Sequence, residues 1–278
     1  MDIPSLSRHH EKLGKTFEVN ALLGLSEVCT AETENIRVVN TAGKVWGIEP
    51  FRLPGMEYLC GRGFLTTDGE MWNHSRKLLK PTFSKTNIVD LSPLSKELDK
   101  LLETIPANGS VIDLQPALSN MFIDFYVGKA LESQASTDKY DEEDLDAAPR
   151  QSMVRSLAAQ TDDRVHIRSQ IIQGMLASAL RLYPVFPVLA RVALSDTTLP
   201  TGGGKNQDLP IFVPKGSTVV MSYYTLHRDT SIFGSNVETF RPERWDEIHP
   251  EQWEFLPFGG GLRACMAQNK VLVEAAKI

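Results

Sequence analysis

The chain has 278 residues, 42% of them hydrophobic and 23% charged, which is enough to bury a large core and ordinary for a globular protein. A formal net charge of −6 argues against a nucleic-acid binder, which usually carries a basic face. Three cysteines, Cys29, Cys60 and Cys265, are odd in number and irregularly spaced, so they do not form a disulfide framework, and a reducing compartment is expected.

Taken in chain order, the N-terminus is polar and has no signal-peptide hydrophobic region. Phe17 to Leu25 alternates and then turns apolar, which predicts a strand. A short helix is expected over Glu34–Val39. At Thr67-Asp68-Gly69-Glu70 a helix starts, with Thr67 as cap and Glu70 completing a capping box. That helix carries Trp72, Arg76 and Leu79 before Pro81. Helical patterns follow at about 88–104 and 116–132. From Ser133 to Arg150 the chain is polar and acidic, including Asp141-Glu142-Glu143-Asp144, and reads as a solvated loop. A helix over Arg168–Leu182 places Ile171, Ile172, Met175, Leu176, Ala179 and Leu182 at helical spacing and stops at Tyr183-Pro184.

Beyond it, Thr201–Gly204 reads as a loop. Ile211–Pro214 and Ser217–Met221, flanking Lys215-Gly216, are expected to form a short hairpin. Phe240–Gly261 leaves little room for regular structure, and a last helix is expected from near Cys265 to the end. The most apolar run, Ile171–Leu194, is broken by Arg181, Pro184, Pro187 and Arg191, so no segment spans a bilayer.

The chemistry concentrates in Phe258-Gly259-Gly260-Gly261-Leu262-Arg263-Ala264-Cys265. Glycines there allow a tight turn and the close approach of a flat cofactor. A cysteine at a helix start has its thiolate stabilised by unpaired N–H groups, and a thiolate binds iron strongly. Arg263 adds positive charge. Taken as a lone cysteine, Cys265 has two other readings, a buried structural thiol or a nucleophile.

The octad resembles the haem-binding signature F-x-x-G-x-R-x-C of the cytochrome P450 family. The resemblance implies that Cys265 is the axial thiolate of the haem iron, with Phe258, Gly261 and Arg263 in the cofactor-binding loop. Ala267 stands where the family usually has glycine. Trp72 and Arg76 resemble the W-x-x-x-R helix, whose two residues hydrogen-bond a haem propionate, and Arg191 falls where another propionate partner is common. Leu180-Arg181-Leu182-Tyr183-Pro184 resembles the end of the E-x-x-R helix. Phe240–Trp245 resembles the P-E-R-[FW] loop, in which Arg244 joins a buried ionic network. His227-Arg228 is a family-like pair with no chemistry assigned to it. Gly14–Phe17, Thr66–Glu70, Asp196–Gly204 and Phe212–Gly216 are similar to fungal microsomal members that hydroxylate alkanes and fatty acids. The resemblance covers most of 11–133 and 170–278.

Two departures stand out. Ser178 occupies the place of the E-x-x-R acid, which would leave Arg181 and Arg244 facing each other without a partner. Only 45 residues separate Glu132 from Ser178, an interval that in the family holds the long distal helix with its [AG]-G-x-[DE]-T turn. Ala158–Asp163 is a poor stand-in for that turn.

The expectation is therefore a mainly α protein with small β-sheets, of the cytochrome P450 fold but lacking much of the distal helical region. It would be a single domain over 1–278 with an internal deletion within about 133–170. The implied activity is that of a haem-thiolate monooxygenase inserting one oxygen atom of O2 into an apolar small molecule, an alkane or fatty acid. The alternative is a catalytically inactive, haem-binding remnant. The implied partner is an NADPH-cytochrome reductase. Location would be the endoplasmic reticulum membrane surface by peripheral contact, or the cytoplasm, since no anchor is seen.

Overall fold

The computed structural model describes residues 3–20, 26–83, 91–135 and 163–277. The acidic run at 141–144 and residues 158–162 lie outside the described residues. The chain divides into two compact units, Met1–Pro81 with Gln170–Met266, and Thr82–Ser169 with Ala267–Ile278. As expected, the fold is largely helical with small sheets.

The first unit is built on a five-stranded sheet in the order β1-β2-β7-β4-β3. After α1 (Ile3–Leu13), β1 (Thr16–Asn20) pairs antiparallel with β2 (Ser26–Thr30), and β2 runs parallel to β7 (Thr218–Ser222). β4 (Val188–Ala193) lies antiparallel between β7 and the short β3 (Trp46–Gly47). A separate ribbon joins β5 (Thr197–Gly203) to β6 (Leu209–Val213). Val219 and Met221 alternate inward on β7 and are fully buried. They meet Ile36 and Val39 of α2 (Thr33–Thr41), together with Leu199, Val213, Tyr223 and Leu226. The buried face of α2 is Asn35, Ile36, Val39 and Asn40, one stripe at helical period. Asn35 is buried but fully employed. Its Nδ2 donates to Thr16 Oγ1, Thr30 Oγ1 and the Thr201 carbonyl, and its Oδ1 accepts from Thr201 N at 3.1 Å. One side chain thus ties α2 to β1, β2 and β5.

Several expectations change here. The predicted strand ends at Asn20, residues 21–25 lie outside the described residues, and β2 follows unforeseen. The predicted hairpin does not form. Its two halves are strands, but β6 pairs with β5 while β7 joins the other sheet, because Lys215-Gly216 turns the chain from one sheet to the other. Thr201–Gly203 is accordingly strand. Helix α3 (Glu49–Cys60), with Pro54 inside it, was not foreseen. Helix α4 (Gly69–Leu79) begins where expected, but the capping box is absent: Thr67 Oγ1 donates to the Gly63 carbonyl instead.

Helix α7 (Asp163–Leu182) buries Gly174, Ser178, Arg181 and Leu182, whereas Met175 is exposed. The inward stripe is more polar than hydrophobic periodicity suggests. Short helices α8 (Tyr223–Leu226), α9 (Thr230–Phe233) and α10 (Arg244–Glu247) punctuate the irregular stretch after β7.

The second unit packs α5 (Ser92–Glu103) on α6 (Leu114–Ala135) through Leu94, Leu101, Met121 and Phe125. In α11 (Gln268–Lys277), Lys270 pairs with Glu274 at 2.7 Å and lies 5.5 Å from the Phe125 ring centroid. Among the described residues no helix is long and apolar enough to cross a membrane.

Candidate functional site

The Phe258–Cys265 segment closes on itself. Cys265 N–H donates to the Phe258 carbonyl at 2.9 Å, and Gly261–Arg263 form a 3-10 turn inside the loop. Gly259 and Gly261 have φ of +72° and +65°, the left-handed region that glycine enters without strain. At Gly261 a Cβ would also overlap the Asn40 carbonyl, so only glycine fits against α2.

Cys265 is exposed and unpaired, so the reading as a buried structural thiol is overturned. Cys29 is the buried one, and burial pushes its thiol up to about 11, reinforced by Glu27. Among the described residues no histidine hydrogen-bonds the Cys265 thiol. None group three or more His, Cys, Asp or Glu side chains as a metal site either, leaving the nucleophile reading without its base.

Arg263 turns back from the loop. It donates to the Thr67 carbonyl at 2.7 Å and to Asp68 Oδ1 at 2.6 Å. Asp68 Oδ2 accepts from the backbone N–H groups of Ile48 and Glu49, and Glu49 Oε2 accepts from Asp68 N at 3.0 Å. The two acids cap each other's backbone, a long-range version of the capping box expected at Thr67 and Glu70. Trp72 lies under Arg263 at 4.5 Å and under Arg76 at 5.5 Å from its ring centroid. Arg76 Nη1 reaches the Ala264 carbonyl at 3.4 Å, one residue before Cys265.

A cavity of about 560 Å³ opens between α2, β3, α4 and the loop, lined by Asn40, Trp46, Asp68, Trp72, Arg191 and Arg263 among others. Of the residues singled out in sequence, Trp72, Arg191 and Arg263 meet on its wall. Cys265, Arg76, Phe258 and Gly261 do not line it; they belong to the adjoining loop and its supports. Asn40, Trp46 and Asp68 were missed. Only Asp68 left a signal, an acid just before a helix start.

Donors on the wall outnumber their partners, although Asn40 Oδ1 is a buried acceptor that also has none. The indole N–H groups of Trp46 and Trp72 are buried without a partner. Arg191 is 5% exposed and donates to the carbonyl of its neighbour Ala190 at 2.9 Å. Burial lowers the Arg191 pKa, and nearby Arg52 lowers it further. Arg263 is brought down to about 10, chiefly by burial, with Arg191 and Arg52 opposing its charge and Asp68 supporting it. Unpartnered donors and crowded cations fit an anionic, acceptor-rich cofactor edge, and Asp68 stands in for such an anion on Arg263. The donor set therefore fits the carboxylates of haem, with a free thiol on the adjoining loop.

The sequence profile of the family described as Cytochrome P450 matches residues 169–269. Cytochrome P450 monooxygenase fsdH of Fusarium heterosporum is 30% identical over 399 aligned positions, covering 98% of this chain and 70% of the relative. Cytochrome P450 52E1 of Candida apicola is 25% identical over 393 positions, 92% of this chain and 74% of the relative. Cytochrome P450 52A12 of Debaryomyces hansenii is 46% identical over a shorter stretch of 113 residues, 40% of this chain and 22% of the relative. Since this chain has 278 residues, at least 121 of the 399 positions aligned with the first relative fall opposite gaps in it.

Proposed function

The chain belongs to the cytochrome P450 family, whose members bind haem and act as monooxygenases, and on that premise we propose that Cys265 is the axial ligand of its haem iron. Trp72, Arg76, Arg191 and Arg263 would hold the propionates, with Phe258 and Gly261 shaping the loop. The observation that carries this reading is the pairing of an exposed cysteine on a self-closed glycine loop with a cavity of unsatisfied donors beside it.

When bound, the haem supplies an iron at which dioxygen is reduced and one oxygen atom passes to a C–H bond of substrate. The chain's own residues orient the group. Arg263 and Arg191 attract its carboxylates, the indole N–H groups fix their direction, and Gly261 lets the loop lie against α2. The substrate would be an apolar molecule of the alkane or fatty-acid class. Electrons would come from an NADPH-cytochrome reductase, with peripheral contact at the endoplasmic reticulum membrane. These finer assignments rest on the likeness of Asp196–Gly204 and Phe212–Gly216 to fungal microsomal members.

A second reading, a haem-binding chain that does not turn over, is favoured by the 45 residues between Glu132 and Ser178 and by the missing [AG]-G-x-[DE]-T turn. We place the shortening within about 133–170. Protein expressed with a haem precursor is expected to give a thiolate-type Soret band in the reduced carbon monoxide difference spectrum, and Cys265→Ala to lose it. A wild-type spectrum without that band removes the assignment. Bound haem with no product, given reductase, NADPH and an alkane, selects the second reading.

A further inference from the structure

Two guanidinium groups lie side by side in the interior of the first unit with no carboxylate between them. Arg181, in the last turn of α7, is fully buried, and Arg244, at the start of α10, is 2% exposed. They share the Thr239 carbonyl, each at 3.4 Å. Arg181 also donates to the carbonyls of His227 at 2.9 Å and Val237 at 2.7 Å. Arg244 donates to the Phe233 carbonyl and to Asn236 through both Oδ1 and O at 2.8 Å. The terminal nitrogens are thus caged by carbonyl oxygens, all of them backbone except Asn236 Oδ1. The Nε–H of each arginine, however, is buried without a partner.

Ser178 sits one turn before Arg181 on the same helix face and is also buried. Its Oγ accepts from Trp245 Nε1 at 3.0 Å, which leaves the hydroxyl hydrogen to donate elsewhere. Arg181 Nε, Arg244 Nε and the Ser178 hydroxyl are thus buried donors that have no acceptor among the described residues.

Charge points the same way. The carboxylate that acts on Arg181 is Glu238, and the one that acts on Arg244 is Glu247. Both are exposed, and each is already paired, Glu238 with Arg228 and Glu247 with Arg241. Burial lowers Arg181 to about 10, and Arg244 and Arg228 lower it further. Carbonyl dipoles soften two buried like charges but do not neutralise them. A water would satisfy one or two N–H groups and carries no charge.

We propose that Arg181, Arg244 and Ser178 form a binding site for a small monovalent carboxylate of one or two carbons, such as formate. A planar carboxylate matches the donor geometry of guanidinium groups and accepts from several N–H and O–H groups at once. The size limit follows from burial: Ser178, Arg181 and Arg244 are each no more than 2% exposed, which leaves room only for a small anion.

The test is the thermal unfolding midpoint of the full chain in rising sodium formate, against sodium gluconate at equal ionic strength. Formate is expected to raise the midpoint by a few degrees and to saturate, while gluconate, too large for the site, leaves it unchanged. Ser178→Glu brings an internal carboxylate beside Arg181. It is expected to raise the midpoint in the absence of formate and to abolish the formate response. Formate bound in the Arg263 cavity would leave that response intact in Ser178→Glu, which separates the two sites. Equal effects of formate and gluconate, or an undiminished response in the variant, overturn the proposal. If Ser178→Glu does not fold, Ser178→Val removes the hydroxyl donor alone. A several-fold weaker formate response in that variant sustains the site, and an unchanged one overturns it.

Discussion

The carboxylate of Asp68 binds Arg263 at 2.6 Å through one oxygen and the first backbone N–H groups of α3, at Ile48 and Glu49, through the other. A single acid therefore joins the cysteine loop to a helix start some two hundred residues away in sequence. Asp68→Asn keeps the shape and removes the charge. It is expected to cost about 2–4 kcal/mol, since an ion-paired acceptor of two backbone donors is lost in a partly buried place. Urea unfolding midpoints of the two proteins measure it.

Arg191 is more buried than Asp68 and far less satisfied. Arg191→Met is expected to leave the haem-free chain as stable as wild type or more stable by up to about 1 kcal/mol, because an underpaired buried charge disappears. The same change is expected to weaken haem binding by about tenfold, the order of one charge-assisted hydrogen bond. Unfolding midpoints and haem titration, run side by side, would show the two effects moving in opposite directions.

Loop glycines separate backbone strain from steric overlap. Gly259→Ala meets no atom within 4 Å and costs the left-handed penalty alone, about 1–2 kcal/mol. Gly261→Ala adds overlap with the Asn40 carbonyl and is expected to cost clearly more and to disturb haem uptake. Equal losses in the two variants would contradict the contact with α2.

His227 sets a pH dependence. Its Nε2 accepts from Leu256 N at 2.9 Å, so the ring is neutral, and burial, followed by Arg181 and Arg228, brings its pKa down to about 3. The unfolded chain takes up this proton near 6.5 and the folded chain does not. The stabilising contribution is therefore complete above about pH 6.5. It is lost as pH falls toward 3, at up to about 1.4 kcal/mol per pH unit. His227→Gln is expected to flatten the acid limb of a stability–pH curve between those limits.

The cage around Arg181 shows where reading from sequence stopped. Ser178 in place of an acid implied two arginines facing each other unpaired. Their adjacency holds, through Thr239, but the partners are carbonyls of His227, Val237, Asn236 and Phe233. Backbone oxygens carry no residue identity, so no sequence pattern announces them. Likewise, Thr67 and Glu70 carried the local signal of a capping box, yet the reciprocal caps that form are Asp68 and Glu49, nineteen positions apart.

The sequence by itself determined the family, the glycine loop ending in Cys265, the helix that sets Trp72 and Arg76 one turn apart, and the stop of α7 before Pro184. Each depends on neighbours within a few residues, where periodicity, glycine φ and proline sterics act directly. Tertiary structure alone decided that β6 and β7 part to different sheets, that Asp68 holds Arg263, and that Trp46, Trp72 and Arg191 turn unsatisfied donors into one cavity. Those outcomes are set by burial and by hydrogen-bond partners far apart in the chain. Local pattern does not encode them, because an unpartnered donor exists only once the surrounding chain has excluded water from it.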